Sequence, residues 1–334
     1  MAGLSKHSSD LPSVNAIWRF HSSLRGGTTL PSLRDAIGRN LSQGHALRGL
    51  LTKAPRMTST VVQHAPLGIR HFGVHHLRSL VTSRVSLPES SYLVDSRQRV
   101  IYCPIMKVAC SSLRRWFLRF QGLSEQEIGD NMRQIAPQYE LGNYGVWRAA
   151  QILLNPNVFM FAFVRNPWAR LVSAYLNRML TVSEISKPIL RTIQTCRGAA
   201  PEKPLEADAS FEEFVDALGC ERPPNFDAHW RPQHFFLRRN RFDFIGKIES
   251  LEEDFRKVQE RLRTDLALPR LNSTPYESPQ FNPGFVGRLP PDELRQLPAF
   301  PHYRHYYTPT TRDTVGRLYA EDIRMFGYKF DSPD

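Results

Sequence analysis

The apolar residues of this chain gather into a few blocks separated by polar stretches. Val158 to Val164 is the densest block, seven apolar residues in succession. A run of that length predicts a strand covered on both faces, because only a half-exposed strand needs polar alternation. It ends in Arg165-Asn166-Pro167, beyond which Trp168, Leu171, Val172 and Tyr175 recur at helical spacing. Proline is tolerated in a first turn, where its missing N–H would lack an intrahelical partner anyway. Arg165 therefore leaves the end of a strand, and Ser173 falls about two turns into the following helix.

A second block, residues 99–120, reads as a short strand, a turn after Pro104, and an amphipathic helix carrying Leu113, Trp116, Phe117 and Phe120. Tyr144 to Leu154 predicts a helix feeding the Val158 strand. Ser210 and Glu213 have the spacing of a capping box, opening a short helix through Leu218. Leu251 to about Leu266 is amphipathic, and Thr311 to Phe326 predicts one closing helix. Residues 269–301 are proline-rich without apolar period and predict a long surface loop. Strands that alternate with helices place the chain in the α/β class, with a central, mostly parallel sheet flanked by helices.

The chain has 334 residues and 41% hydrophobic content, enough for one large domain and a tail. Residues 1–88 show weak periodicity apart from a short helical pattern near Leu33 to Leu51, and are expected to form a basic, disordered segment. The domain then spans 89–334. Net charge is +12, which invites a nucleic-acid reading. However, residues 1–90 hold eleven Lys/Arg against three Asp/Glu, so only +4 belongs to the remainder. No aromatic–basic RNA motif appears, and no nucleic-acid partner is expected. Seven of the eleven histidines occur by position 76 but lack metal-ligand spacing, so no metal is expected.

The N-terminal segment resembles a transit peptide in being Arg- and Ser-rich and poor in acids. It has neither a signal-peptide core nor a membrane-spanning run. That pattern favours a soluble, cytoplasmic protein. Cys103 and Cys110 read as packing residues; Cys196 and Cys220 could pair, though free thiols are the expectation.

Two positions carry candidate chemistry. Arg165, at the carboxyl end of a strand, suits a phosphate because its planar fork donates two hydrogen bonds to adjacent oxygens. Its alternative is an arginine that pairs with a carboxylate at the sheet edge. Lys107 sits in a turn, and Ser111 and Ser112 open the next helix, whose unpaired N–H groups favour an anion. The G-x-x-x-x-G-K-[ST] pattern of a nucleotide-hydrolysing loop is absent, which argues against a kinase or ATPase.

These two segments resemble the paired nucleotide motifs of the Golgi-type carbohydrate sulfotransferases, in particular the group acting on N-acetylgalactosamine and terminal glucuronic acid. Cys103-Pro104, Lys107-Val108, Cys110-Ser111 and Arg114-Arg115 are similar to the family's phosphosulfate loop. Phe163 to Tyr175 is similar to its 3′-phosphate motif. Ala109 stands where the family usually has glycine, and Asn166 replaces a frequent acid. Further likeness lies in Asp227 to Gln233, Phe242 to Glu249 and the stretch from Tyr306 to Tyr328, so the resemblance covers roughly Tyr92 to Phe330.

The resemblance implies a P-loop nucleotide-kinase-like core and transfer of a sulfuryl group from 3′-phosphoadenosine 5′-phosphosulfate to a carbohydrate hydroxyl, without a metal. Family relatives are usually membrane-anchored Golgi proteins, so the resemblance implies the Golgi lumen as the alternative location if the native N-terminus differs. Lys107, Val108, Ala109, Cys110, Ser111 and Ser112 would hold the phosphosulfate, with Lys107 also catalytic; Arg165 and Ser173 would hold the 3′-phosphate. His229 is the preferred general base, with His234 and Glu140 as alternatives; it could instead order its loop or contact the acceptor. Arg231, Lys247 and Arg304 are further candidate contacts, equally readable as surface or ion-pair residues. The competing function is a nucleotide- or glycan-binding protein that kept the scaffold and lost turnover.

Overall fold

The computed structural model describes residues 92–200, 202–237, 240–271 and 282–331. The expectations for residues 1–88, including the helical pattern near Leu33 to Leu51, lie outside the described residues.

A four-stranded sheet carries the fold: β1 (Leu93–Val94), β2 (Val100–Cys103), β3 (Phe159–Val164) and β4 (Phe244–Lys247), in the order β1-β2-β3-β4. β1 runs antiparallel to β2, whereas β2, β3 and β4 are mutually parallel. All six β3 residues are buried, as the unbroken apolar run predicts for a strand paired on both sides. β4 was not legible from periodicity because its residues are only partly buried. Its Gly246 lies against the Phe163 ring, where an added Cβ would stand 2.5 Å from a ring carbon.

Besides one-turn helices at Glu125–Ile128 and Met132–Ile135, the described helices are α1 (Cys110–Phe120), α2 (Gly145–Leu154), α3 (Pro167–Arg178), α4 (Lys187–Cys196), α5 (Phe211–Gly219), α6 (His234–Leu237), α7 (Leu251–Leu262), α8 (Pro291–Gln296), α9 (Pro309–Leu318) and α10 (Ala320–Phe326), with 3₁₀ turns between some of them. The capping box at Ser210 and Glu213 forms as its spacing predicts. α7 stops at Leu262, short of Leu266, because Arg263 takes a left-handed cap at φ 54°. The closing helix is two helices. Tyr319 breaks it at φ −111°, ψ 22°, with its ring buried and its hydroxyl donating to the Trp230 carbonyl. Within the proline-rich stretch, α8 forms and buries Leu294, so that part is not simple surface loop.

Two apolar clusters build the interior. One centres on the sheet, where Trp116 of α1 packs edge-on against Phe161 of β3 and Phe255 of α7. The other joins α3, α5 and α9 through Leu171, Phe211, Phe214 and Val315. The four cysteines are free. Cys196, ending α4, and Cys220, following α5, are near enough for the Cys220 thiol to influence the ionisation of Cys196. Among the described residues no helix is long and apolar enough to cross a membrane.

Candidate active site

Because β2, β3 and β4 are parallel, their carboxyl ends open on one edge, where α/β sheets bind ligands. The β2–α1 turn and the β3–α3 turn leave this edge side by side. Arg165 Nη1 donates to the Lys107 carbonyl at 3.5 Å, joining the two turns directly.

The β2–α1 turn has two residues in the left-handed region, Lys107 at φ 66° and Ala109 at φ 43°. Ala109 caps α1 through its backbone alone; no side chain satisfies the first N–H groups of the helix. That leaves donors at the positive end of the dipole, beside Lys107. Ser111 lies in the first turn of α1. Ser112 is buried and exchanges hydrogen bonds with the Leu271 backbone, at 3.0 Å to its N–H and 3.4 Å to its carbonyl. Val108 is buried in the sheet-side core, so only its backbone faces the turn.

Lys107 is half-buried, and its pKa is lowered to about 8. Burial is the largest cause; Arg165, Arg178 and Arg170 push the same way, and only the Cys110 thiol opposes them. No carboxylate acts on it among the described residues. Ser173 is buried on α3.

Asn166 accounts for the β3–α3 turn. Its Oδ1 accepts from Trp168 N–H at 3.0 Å and Ala169 N–H at 3.4 Å, as an aspartate could. Its Nδ2 donates to the Lys329 carbonyl at 3.1 Å, which an aspartate could not. Glu249 then accepts from Asn166 N–H at 2.6 Å and from Tyr328 Oη at 2.9 Å.

The segment before α6 supplies the histidines. His229 Nδ1 lies 2.6 Å from Asp227 Oδ1, and the same oxygen accepts the His229 backbone N–H at 2.9 Å. Burial works against ionising Asp227, but these bonds outweigh it and hold its carboxyl below the usual range. With Nδ1–H donated to Asp227, His229 Nε2 is left as an acceptor. His234 also has a carboxylate partner, Asp322 at 2.7 Å. Asp322 is fully buried and accepts as well from the backbone N–H groups of Gln233 and His234. His234 thereby belongs to a hub that fixes α6 against α10.

The other candidates separate from this edge or already have partners. Glu140 pairs through its backbone with Leu93, on the far side of β2 from β3. Arg231 Nε donates to the Phe226 carbonyl at 2.9 Å. The Lys247 ammonium stands 4.7 Å from the Tyr328 ring centroid, and Arg304 is 3.8 Å from Asp331.

Residues 90–329 match the model of the sulfotransferase family. The chain belongs to that family. It is 32% identical to carbohydrate sulfotransferase 14 of Danio rerio over 248 residues, 71% of this chain and 61% of that protein. The human protein of the same name is 28% identical over 245 residues, covering 71% and 59%. Human carbohydrate sulfotransferase 9 is 26% identical over 267 residues, covering 78% and 57%. The chain thus spans about three fifths of the length of these curated relatives. No solved structure matches it.

For this sulfotransferase-family chain, sequence reasoning singled out Lys107, Arg165 and His229, and passed over four residues that hold them. Arg170 is 1% exposed and donates to three backbone carbonyls, those of Met106, Arg231 and Ala228. Gln233 clasps the Arg165 backbone, Asp322 anchors Gln233, and Asp227 orients His229. Only Asp227 left a local signal, an acid two residues before a histidine; the rest act across the fold.

Proposed function

We propose that this domain transfers the sulfuryl group of 3′-phosphoadenosine 5′-phosphosulfate to a hydroxyl of a carbohydrate acceptor, on a P-loop nucleotide-kinase-like core. One observation carries the reading: Lys107, half-buried, and Arg165 meet where the β2–α1 and β3–α3 turns touch, with Arg165 Nη1 donating to the Lys107 carbonyl at 3.5 Å. Two positive side chains at the mouth of a parallel sheet suit a ligand with several anionic groups. The uncapped start of α1 and the left-handed turn before it fit a phosphosulfate. The names of the relatives add the carbohydrate acceptor and the sulfuryl group.

In this reading the α1 N–H groups, Cys110, Ser111 and the backbone of Val108 and Ala109 cradle the phosphosulfate; Ser112, tied to Leu271, shapes the cradle. Arg165 and Ser173 hold the 3′-phosphate, which distinguishes this donor from ATP. The donor supplies an activated sulfur for in-line displacement. Lys107 offsets the negative charge that develops on the oxygen bridging phosphorus and sulfur. His229 Nε2 takes the proton of the attacking hydroxyl, and Asp227 stabilises the imidazolium so formed.

The test is calorimetric titration of 3′-phosphoadenosine 5′-phosphate, with 5′-AMP as control, into the wild type, Arg165→Ala and Ser173→Ala. Binding that weakens about tenfold or more on losing either side chain, with AMP weak throughout, supports the reading. Equal or absent binding of both nucleotides would reject it.

A further inference from the structure

Arg170 bonds to the peptide groups from which both proposed catalytic side chains start. Nε donates to the Met106 carbonyl at 2.9 Å, whose peptide ends in Lys107 N–H. Nη2 donates to the Ala228 carbonyl at 3.2 Å, whose peptide ends in His229 N–H. Nη1 reaches the Arg231 carbonyl at 2.8 Å, fixing the far side of His229. The His229 N–H itself is taken by Asp227 Oδ1, so the 228–229 peptide plane is held at both ends.

The chemistry of the side chain matters here. A buried guanidinium is costly to desolvate, and an apolar core residue would be cheaper if stability were its only use. A rigid planar fork with five donors can hold three carbonyls in one plane, whereas an ammonium is a point charge on a flexible stem. Arg170 shares one α3 face with Ala174 and Arg178, at spacings of four and eight residues, and Ser173 lies beside it. The fork thus stands between the donor loop and the His229 segment, with no intervening residue.

We propose that Arg170 is a positioning residue that couples occupation of the Lys107 loop to ordering of the His229 segment, so that the base is set when the donor is bound. This rests on the donor reading above. The two loops share one guanidinium, so fixing the Met106–Lys107 peptide narrows the positions open to the Ala228–His229 peptide.

Amide hydrogen exchange of residues 226–233 tests the coupling, measured on the full chain with and without saturating 3′-phosphoadenosine 5′-phosphate, in wild type, Arg170→Lys and Arg170→Gln. In the wild type the nucleotide is expected to slow exchange about tenfold in this segment, the scale of ordinary coupling between sites. In Arg170→Lys the nucleotide still binds, and the protection at 226–233 is lost. Protection retained in the variants would overturn the proposal, as would nucleotide binding to wild type with exchange at 226–233 unchanged. Loss of fold in both variants, judged by far-ultraviolet circular dichroism, would reassign Arg170 to the core. Failure of the wild type to bind the nucleotide would instead remove the donor reading, and this inference with it.

Discussion

Gln233 clasps the backbone of Arg165 at both ends of one residue. Its Oε1 accepts the Arg165 N–H at 2.8 Å and its Nε2 donates to the Arg165 carbonyl at 2.8 Å. The side chain is fully buried, and its own backbone N–H is held by Asp322 at 2.6 Å. A glutamine more than sixty residues away in sequence thereby sets the direction in which the arginine leaves β3.

Replacing Gln233 by leucine keeps the volume and orphans both Arg165 backbone groups. Each unsatisfied buried group costs about 1–3 kcal/mol, so denaturant unfolding should show a loss of roughly 2–6 kcal/mol. Affinity for 3′-phosphoadenosine 5′-phosphate is expected to fall with it. Unchanged affinity in a folded Gln233→Leu variant would show that Arg165 needs no such clasp.

The lowered Lys107 pKa gives a pH dependence with a definite sign. Burial, reinforced by Arg165, Arg178 and Arg170, brings it to about 8, below that of an exposed lysine. An anionic ligand favours the ammonium and raises that pKa, so binding is strongest below about pH 8 and weakens by up to about tenfold per unit above it. Folding responds the other way. The unfolded chain holds the proton more tightly, so the burden of the charge is fully present below the folded pKa and eases as pH rises through it. Calorimetry across pH 6.5–9.5 checks the first expectation (a window chosen about the cited pKa), and Lys107→Met should flatten the profile.

His229→Ala should lower sulfuryl transfer by on the order of 10²–10⁴ while leaving nucleotide affinity unchanged. Asp227→Asn should produce a smaller loss and shift the pH–rate profile, because the imidazolium loses its charged partner. If Asp227→Asn and His234→Ala give matching profiles, the assignment of His229 over His234 would not stand.

Ala109 occupies a left-handed position at φ 43°, ψ 27°. That conformation costs a non-glycine residue about 1–2 kcal/mol, partly offset by the greater freedom a glycine loses on folding. Ala109→Gly should therefore stabilise by up to about 1 kcal/mol, and Ala109→Val should destabilise, both read from thermal melts.

Cys196 and Cys220 are exposed, and each thiol lies within electrostatic range of the other. Oxidised glutathione should close the pair by exchange, releasing two glutathione thiols, and raise stability by about 3 kcal/mol. Peptide mapping without reductant would show the cross-link; absence of the linked peptide in folded, oxidised protein would disprove the contact.

Local pattern alone determined the strand–turn–helix units around Lys107 and Arg165. An unbroken apolar run, a proline in the first turn and a helical stripe are decided by neighbours a few residues apart. The family resemblance made Ala109 and Asn166 visible as departures, though only their backbone roles explain them: a left-handed cap and an N-cap that also donates to Lys329. The break at Tyr319 escaped the pattern because its cause, a buried hydroxyl bonded to Trp230, lies far off in sequence. Arg170, Gln233 and Asp322 escaped it for the same reason. Each is a polar side chain that holds backbone groups of a distant segment, and backbone groups leave no mark in the sequence. The sequence by itself thus determined which residues carry charge to the sheet edge. Only the tertiary structure decided how they are aimed, because the buried hydrogen bonds that aim them join segments that meet only when the chain has folded.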